Sequence, residues 1–168
     1  MGLVEESQRI ECVLEVPEGD LAVEEYSHPF SGPTVVELVR SLFGEGISVR
    51  FRAKGTIMSP FIKLEDLLVL SPLGTRSPSI GDIVIFVEPR TQQMFIQRVI
   101  KRAMNSYLVK GDSAQEAMGV VARADILGRV TKVERSGRTI RLGLGPERVL
   151  IALLSRKGLL GHLHHLLG

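Results

Sequence analysis

Two hydroxyls, Thr56 and Ser59, stand in the segment Gly55-Thr56-Ile57-Met58-Ser59-Pro60. Gly55 can take backbone angles closed to other residues, and Pro60 fixes its own φ and biases Ser59 toward an extended conformation. The segment reads as a shaped loop, and loops held by a rigid scaffold are where binding and catalytic groups concentrate. A serine hydroxyl is a weak nucleophile that needs a base within hydrogen-bond reach. Lys54, Lys63, Lys101 and Lys110 are available. A lysine base needs burial to lower its pKa, whereas all four fall at predicted strand ends or turns, where charge stays solvated. His162, His164 and His165 lack the i, i+4 spacing of a helical metal pair and have no carboxylate near them in sequence, so no metal or cofactor site is read.

The elements that must position this loop are mostly strands. Apolar and alternating runs predict strands at 47–53, 67–71, 82–87, 94–101, 106–110 and 127–134, and Thr139 to Leu142 completes a hairpin. Turn chemistry separates them: Pro72-Leu73-Gly74, Ser79-Ile80-Gly81-Asp82, Glu88-Pro89, Asn105, Gly111-Asp112 and Ser136-Gly137. Val35, Val36, Leu38, Val39, Leu42 and Phe43 carry helical spacing after Pro33, which predicts a short helix over 34–43. Pro146 followed by Val149, Leu150, Leu153 and Leu154 predicts a C-terminal helix. Near the N-terminus, Arg9 to Val16 alternates as a half-exposed strand, and Leu21 to Tyr26 can return across the Pro17-Glu18-Gly19-Asp20 turn. Three parts result: an acidic extension at 1–45, a β domain at 46–143 and a helical tail at 144–168.

Charge divides along the same line. Residues 1–45 carry ten acids and two bases, and the rest carry 19 bases and 9 acids. The acidic front can fold against the basic body, or the basic part can meet an anionic surface. With no Trp and only two Tyr, stacking platforms for single-stranded nucleic acid are scarce, so nucleic acid is not the expected partner. Arg148, Arg156 and Lys157 beside leucines fit an anionic membrane surface better. A single cysteine, Cys12, rules out an internal disulfide. Glu5 and Glu6 replace the basic start of a signal peptide, and no 18-residue apolar run occurs, so a cytoplasmic chain is expected, with peripheral membrane contact as the alternative.

Several blocks, in order, resemble the LexA/signal-peptidase superfamily of serine peptidases. Gly55 to Pro60 is similar to its G-x-S-M-x-P nucleophile loop, and Ile62-Lys63-Leu64-Glu65-Asp66 to its I-x-x-G-D turn. Gly81-Asp82-Ile83-Val84-Ile85-Phe86 is similar to its G-D-I-V strand, and Phe95-Ile96-Gln97-Arg98-Val99-Ile100 to the strand carrying the general base. Tyr107 to Ser113 resembles the next strand with its G-D-N/S turn, and Ile126 to Val130 the closing strand. The resemblance covers about residues 46–135. It implies a mostly β fold, a coiled, barrel-like arrangement of antiparallel strands, to which the spacing adds the short N-terminal helix and the C-terminal helix outside the resemblance.

The same resemblance implies that the chemistry has been removed. Ile57 stands at the serine position and has no lone pair; Gln97 stands at the lysine or histidine position and cannot take up a proton near neutral pH. Glu65 replaces the usual turn glycine, and Asp112 remains where an aspartate would only orient a base. Ser59 is the fallback nucleophile, but in an extended loop it lies ~6–7 Å from position 57, where ~1 Å already costs about a hundredfold. The expectation is a pseudopeptidase that holds an extended peptide or protein segment as an added strand, with Gly55, Met58, Pro60 and Arg98 in the binding site. The alternatives are a peptidase acting through Ser59 or Thr56, a peripheral membrane binder using the basic C-terminal part, and plain packing of Ile57 and Gln97.

Overall fold

The computed structural model describes residues 33–159. The predicted N-terminal hairpin and the histidines at 162–165 lie outside that range. Helix α1 spans Pro33–Gly44, with Pro33 at the first position, where its missing N–H costs nothing. Eight strands follow: β1 Val49–Arg52, β2 Leu67–Pro72, β3 Ile83–Glu88, β4 Gln93–Ala103, β5 Ser106–Lys110, β6 Gly119–Ala122, β7 Ile126–Arg135 and β8 Arg138–Ile140. Helix α2 spans Arg148–Arg156, two residues later than Pro146 suggests.

All strand pairs are antiparallel, in the order β1-β2-β7-β3-β4-β5-β6, with β8 added to β7. The fold is therefore β-rich, as the alternating runs predict. The sheet is not a closed barrel, which corrects the barrel-like expectation: among the described residues its hydrogen-bond ladder runs from β1 on one side to β6 on the other. Strand β6 was not predicted. It is four residues long, opens on a glycine and leaves Val120 in solvent, so it lacks the apolar alternation that marks a strand.

The sheet has two apolar faces. Ile83, Ile85, Val87 and Ile96 join one cluster with Val36, Val39 and Phe43 of α1 and with Met58 and Ile62 of the 53–66 loop. Val84, Phe86, Phe95, Val99, Tyr107, Val109 and Val121 form the other. Strands β3 and β4 are thus covered on both sides, which is why they read as continuous apolar runs. Among the described residues, no helix is long and apolar enough to cross a membrane.

Candidate functional site

The loop after β1 is closed at its neck by two backbone hydrogen bonds. Ala53 N–H donates to Asp66 O at 2.7 Å, and Glu65 N–H donates to Ala53 O at 2.8 Å. Inside the neck the chain coils. Ser59 N–H donates to Thr56 O at 2.9 Å, and Ile62 N–H to Met58 O at 3.0 Å. The extended conformation expected for residues 57–59 is not adopted, because these local turns satisfy part of the loop's backbone. Gly55 sits at φ 93°, the left-handed region where a Cβ is costly. Glu65 holds φ 68°, so the position keeps the conformation that suits glycine.

Buried side chains anchor the coil. Met58 and Ile62 enter the core. The Asp66 carboxylate accepts from Lys63 N–H at 2.8 Å and from Arg135 Nε and Nη2 at 2.7 and 2.6 Å. Thr56 and Pro60 face solvent, and Ser59 is half-buried.

The loop is also tied to the turn after β5. Ser113 N–H donates to Ile57 O at 3.0 Å, and the Ser113 hydroxyl lies 2.9 Å from Ile57 O and 3.0 Å from Thr56 O. Ile57 rests directly on Gly111: a Cβ added at Gly111 would overlap the Ile57 side chain and come within 2.8 Å of its carbonyl oxygen. Glycine at 111 is therefore what lets the loop approach.

Gln97 arrives from the neighbouring strand. It pairs with Val84 of β3, and Arg98 pairs with Lys110 of β5. Extending the second register by one residue sets Gln97 opposite Gly111, on the face it shares with Val99 and Val109. Ile57 thus rests on the residue after β5, and Gln97 lies on β4, the strand paired with β5. Gln97 is 2% exposed. Its Nε2 donates to the Met118 sulfur at 3.1 Å, and its Oε1 is buried without a hydrogen-bond partner.

Arg98 and Asp112 point to the opposite side of the strand. Arg98 is 0% exposed. Its Nε and Nη2 donate to the two Asp112 oxygens, both at 2.7 Å, and its Nη1 donates to Gly81 O and Gly143 O, both at 2.9 Å. The guanidinium carbon lies 5.4 Å from the centre of the Phe61 ring. Arg98 therefore ties four segments together from within. Asp112 supports Arg98 and not Gln97. Burial raises the Asp112 carboxyl above its ordinary value, and the Arg98 guanidinium and Lys110 ammonium offset part of that rise.

Lys110 corrects the reading of the four lysines as solvated. It is 4% exposed and donates to Ser155 O at 2.7 Å. Burial lowers its pKa, with Asp112 opposing the shift. The sequence gives no sign of this because α2, 45 residues away, supplies both the cover and the negative end of a helix dipole. Lys54 pairs with Glu65 at 3.0 Å, while Lys63 and Lys101 are exposed.

Ile57 brings no nucleophile and Gln97 no base, so the covalent acyl route is closed at these positions. What these residues offer is an apolar side chain at 57, a buried primary amide at 97 and, among the described residues, a sheet edge at β6. Met118 and Ser113 were not singled out from sequence; Ser113 lies within a recognised turn, and Met118 carries no signal of its own. A separate cleft of about 240 Å³ lies by Asp82, Arg129 and Arg148, where Asp82 pairs with Arg148 Nε at 3.2 Å. No family model matches the chain, and no curated protein matches it either.

Proposed function

We propose that this chain is a non-hydrolytic relative of the signal-peptidase-like serine peptidases that binds an extended peptide or protein segment. The observation carrying this reading is Ile57 packed on Gly111 at the end of β5, with Gln97 buried on β4, the strand paired with β5. These two positions, forty residues apart and picked out by family motif, carry no nucleophile and no base. The glycine-like conformation of Glu65 supports the same reading, because an L-residue is held where the motif has glycine.

Two measurements test it. Array-displayed peptides should bind the wild type, and Ile57→Glu should abolish the signal while circular dichroism shows the fold intact. Absence of any binder, or binding indifferent to that charge, would sink the proposal. The double variant Ile57→Ser/Gln97→Lys should become labelled by a fluorophosphonate at position 57, while the wild type stays unlabelled. Wild-type labelling at Ser59 or Thr56 would establish the displaced-nucleophile alternative.

A second reading rests on the outer face of α2. Val149, Leu150 and Leu153 are exposed there, with Arg156 and Lys157 beside them. This pairing of apolar and basic groups suits the interface of an anionic bilayer. Sedimentation with vesicles of anionic lipid should then drop for Leu150→Asp/Leu153→Asp, and equal sedimentation would exclude this face as an anchor.

A further inference from the structure

The Gln97 amide is arranged at a cost that packing does not explain. Val84, Phe95, Val99 and Val109 surround it on its face of the sheet. A methionine or leucine would fill that space with no polar atom to satisfy. Instead Oε1 is buried without a partner, and Nε2 meets only a thioether, a weak acceptor. Both halves of the amide are under-used, and both are under-used at the same place.

Met118 is what covers it. Its backbone is fixed, since Met118 N–H donates to Val109 O at 3.0 Å. Its side chain is 38% exposed and turns about three torsions, so it can leave without moving the strand. Immediately after it comes β6, whose only strand partner among the described residues is β5. Among the described residues, no strand pairs with the outer edge of β6 beside the Met118 side chain. Val120, 70% exposed, adds an apolar surface along that edge.

We infer that Met118 is a displaceable plug and that Gln97 is the group beneath it that reads a peptide unit. This rests on the peptide-binding reading above and names how that site recognises its ligand. With Met118 swung out, Oε1 accepts from a backbone N–H and Nε2 donates to a backbone C=O of an extended segment. A primary amide matches a peptide unit in this way whatever the sequence. The space left by Met118 takes one side chain of the ligand. An unbranched or γ-branched apolar residue of methionine or leucine size fits there, whereas a carboxylate would be desolvated without a cation facing it. The ligand class is thus an extended peptide with Met or Leu at that position.

The test uses the full chain and arrayed nonapeptides whose central residue is Met, Leu or Asp. The strongest-binding Met or Leu peptide is then titrated against three proteins. Gln97→Met should weaken binding by about tenfold, the loss expected from two neutral hydrogen bonds, while raising Tm by removing an orphaned carbonyl. Met118→Ala should tighten the same peptide several-fold by removing the internal competitor. In the wild type, the Gln97 side-chain amide resonances should shift on adding the peptide. A merely structural Gln97 would change Tm and leave the dissociation constant and those resonances unmoved, which would overturn the inference while leaving peptide binding intact. Equal binding of the Asp-centred peptides would overturn it as well. No binding by the wild type would bring down both this inference and the function it rests on.

Discussion

The Arg98–Asp112 pair yields the sharpest quantitative expectation. Both side chains are fully buried, and the two hydrogen bonds of 2.7 Å form a bidentate pair. Asp112→Ala leaves a guanidinium in the interior without its counter-charge, which costs about 3–5 kcal/mol. A domain of this size has roughly 5–15 kcal/mol in total, so the variant should unfold at much lower urea. Arg98→Met removes the charge but orphans Asp112 and also the Gly81 and Gly143 carbonyls. Each unpaired buried carbonyl costs about 1–3 kcal/mol, so Arg98→Met should be the worse of the two single variants. The double variant Arg98→Met/Asp112→Ala should be more stable than Arg98→Met alone, because it removes the carboxylate that the single variant leaves unpaired. Its recovery toward wild type should be incomplete, since the two carbonyls stay unpaired. The assay is a double-mutant cycle by equilibrium urea unfolding. A coupling below about 1 kcal/mol, typical of an exposed ion pair, would refute the reasoning.

Gly111→Ala should destabilise by roughly 1–3 kcal/mol through overpacking against Ile57, and the amide resonances of Thr56, Ile57 and Ser113 should move most. Asp66→Ala should cost about 2–3 kcal/mol by urea unfolding, because Lys63 N–H and Arg135 both lose their acceptor. Glu147 accepts from Gly143 N–H at 2.8 Å and Gly145 N–H at 3.0 Å. Hydrogen bonds from its own amide and from those of Gly143 and Gly145 lower its pKa below the ordinary 4.5. A lowered carboxylate gives stability that is present above the unfolded pKa and lost as pH falls through the folded value. The Gly143 and Gly145 amide signals should therefore shift below pH ~4.5 in the wild type and be flat with pH in Glu147→Gln. A wild type without that transition would remove Glu147 as the clasp at the start of α2.

Periodicity and punctuation fix much of this molecule. Helix α1 follows from Pro33 and the 3.6-residue spacing of Val36, Val39 and Phe43, three residues that then turn out buried. The strands up to β5 follow from apolar runs bounded by glycine and proline, within a few residues at their ends. Local patterns carry such signals because backbone sterics and solvent-facing alternation act over a few residues. Strand β6 escaped because half of a short edge strand faces water. Whether the ladder closes is not a local property at all, and the open edges at β1 and β6 depend on how much each strand twists relative to the next.

The site divides in the same way. Residue chemistry alone establishes that Ile57 cannot attack and Gln97 cannot act as a base, because these are properties of the side chains. Only the tertiary structure decides where they sit, Ile57 on Gly111 and Gln97 buried against Met118 on the strand paired with β5. Burial is likewise decided in three dimensions. Arg98 reads as a binding-site residue and Lys110 as a solvated charge in sequence, yet Asp112, two backbone carbonyls and the end of α2 enclose them. The physical reason is that a charge's environment is set by whatever packs onto it, and here those groups come from 14 to 45 residues away.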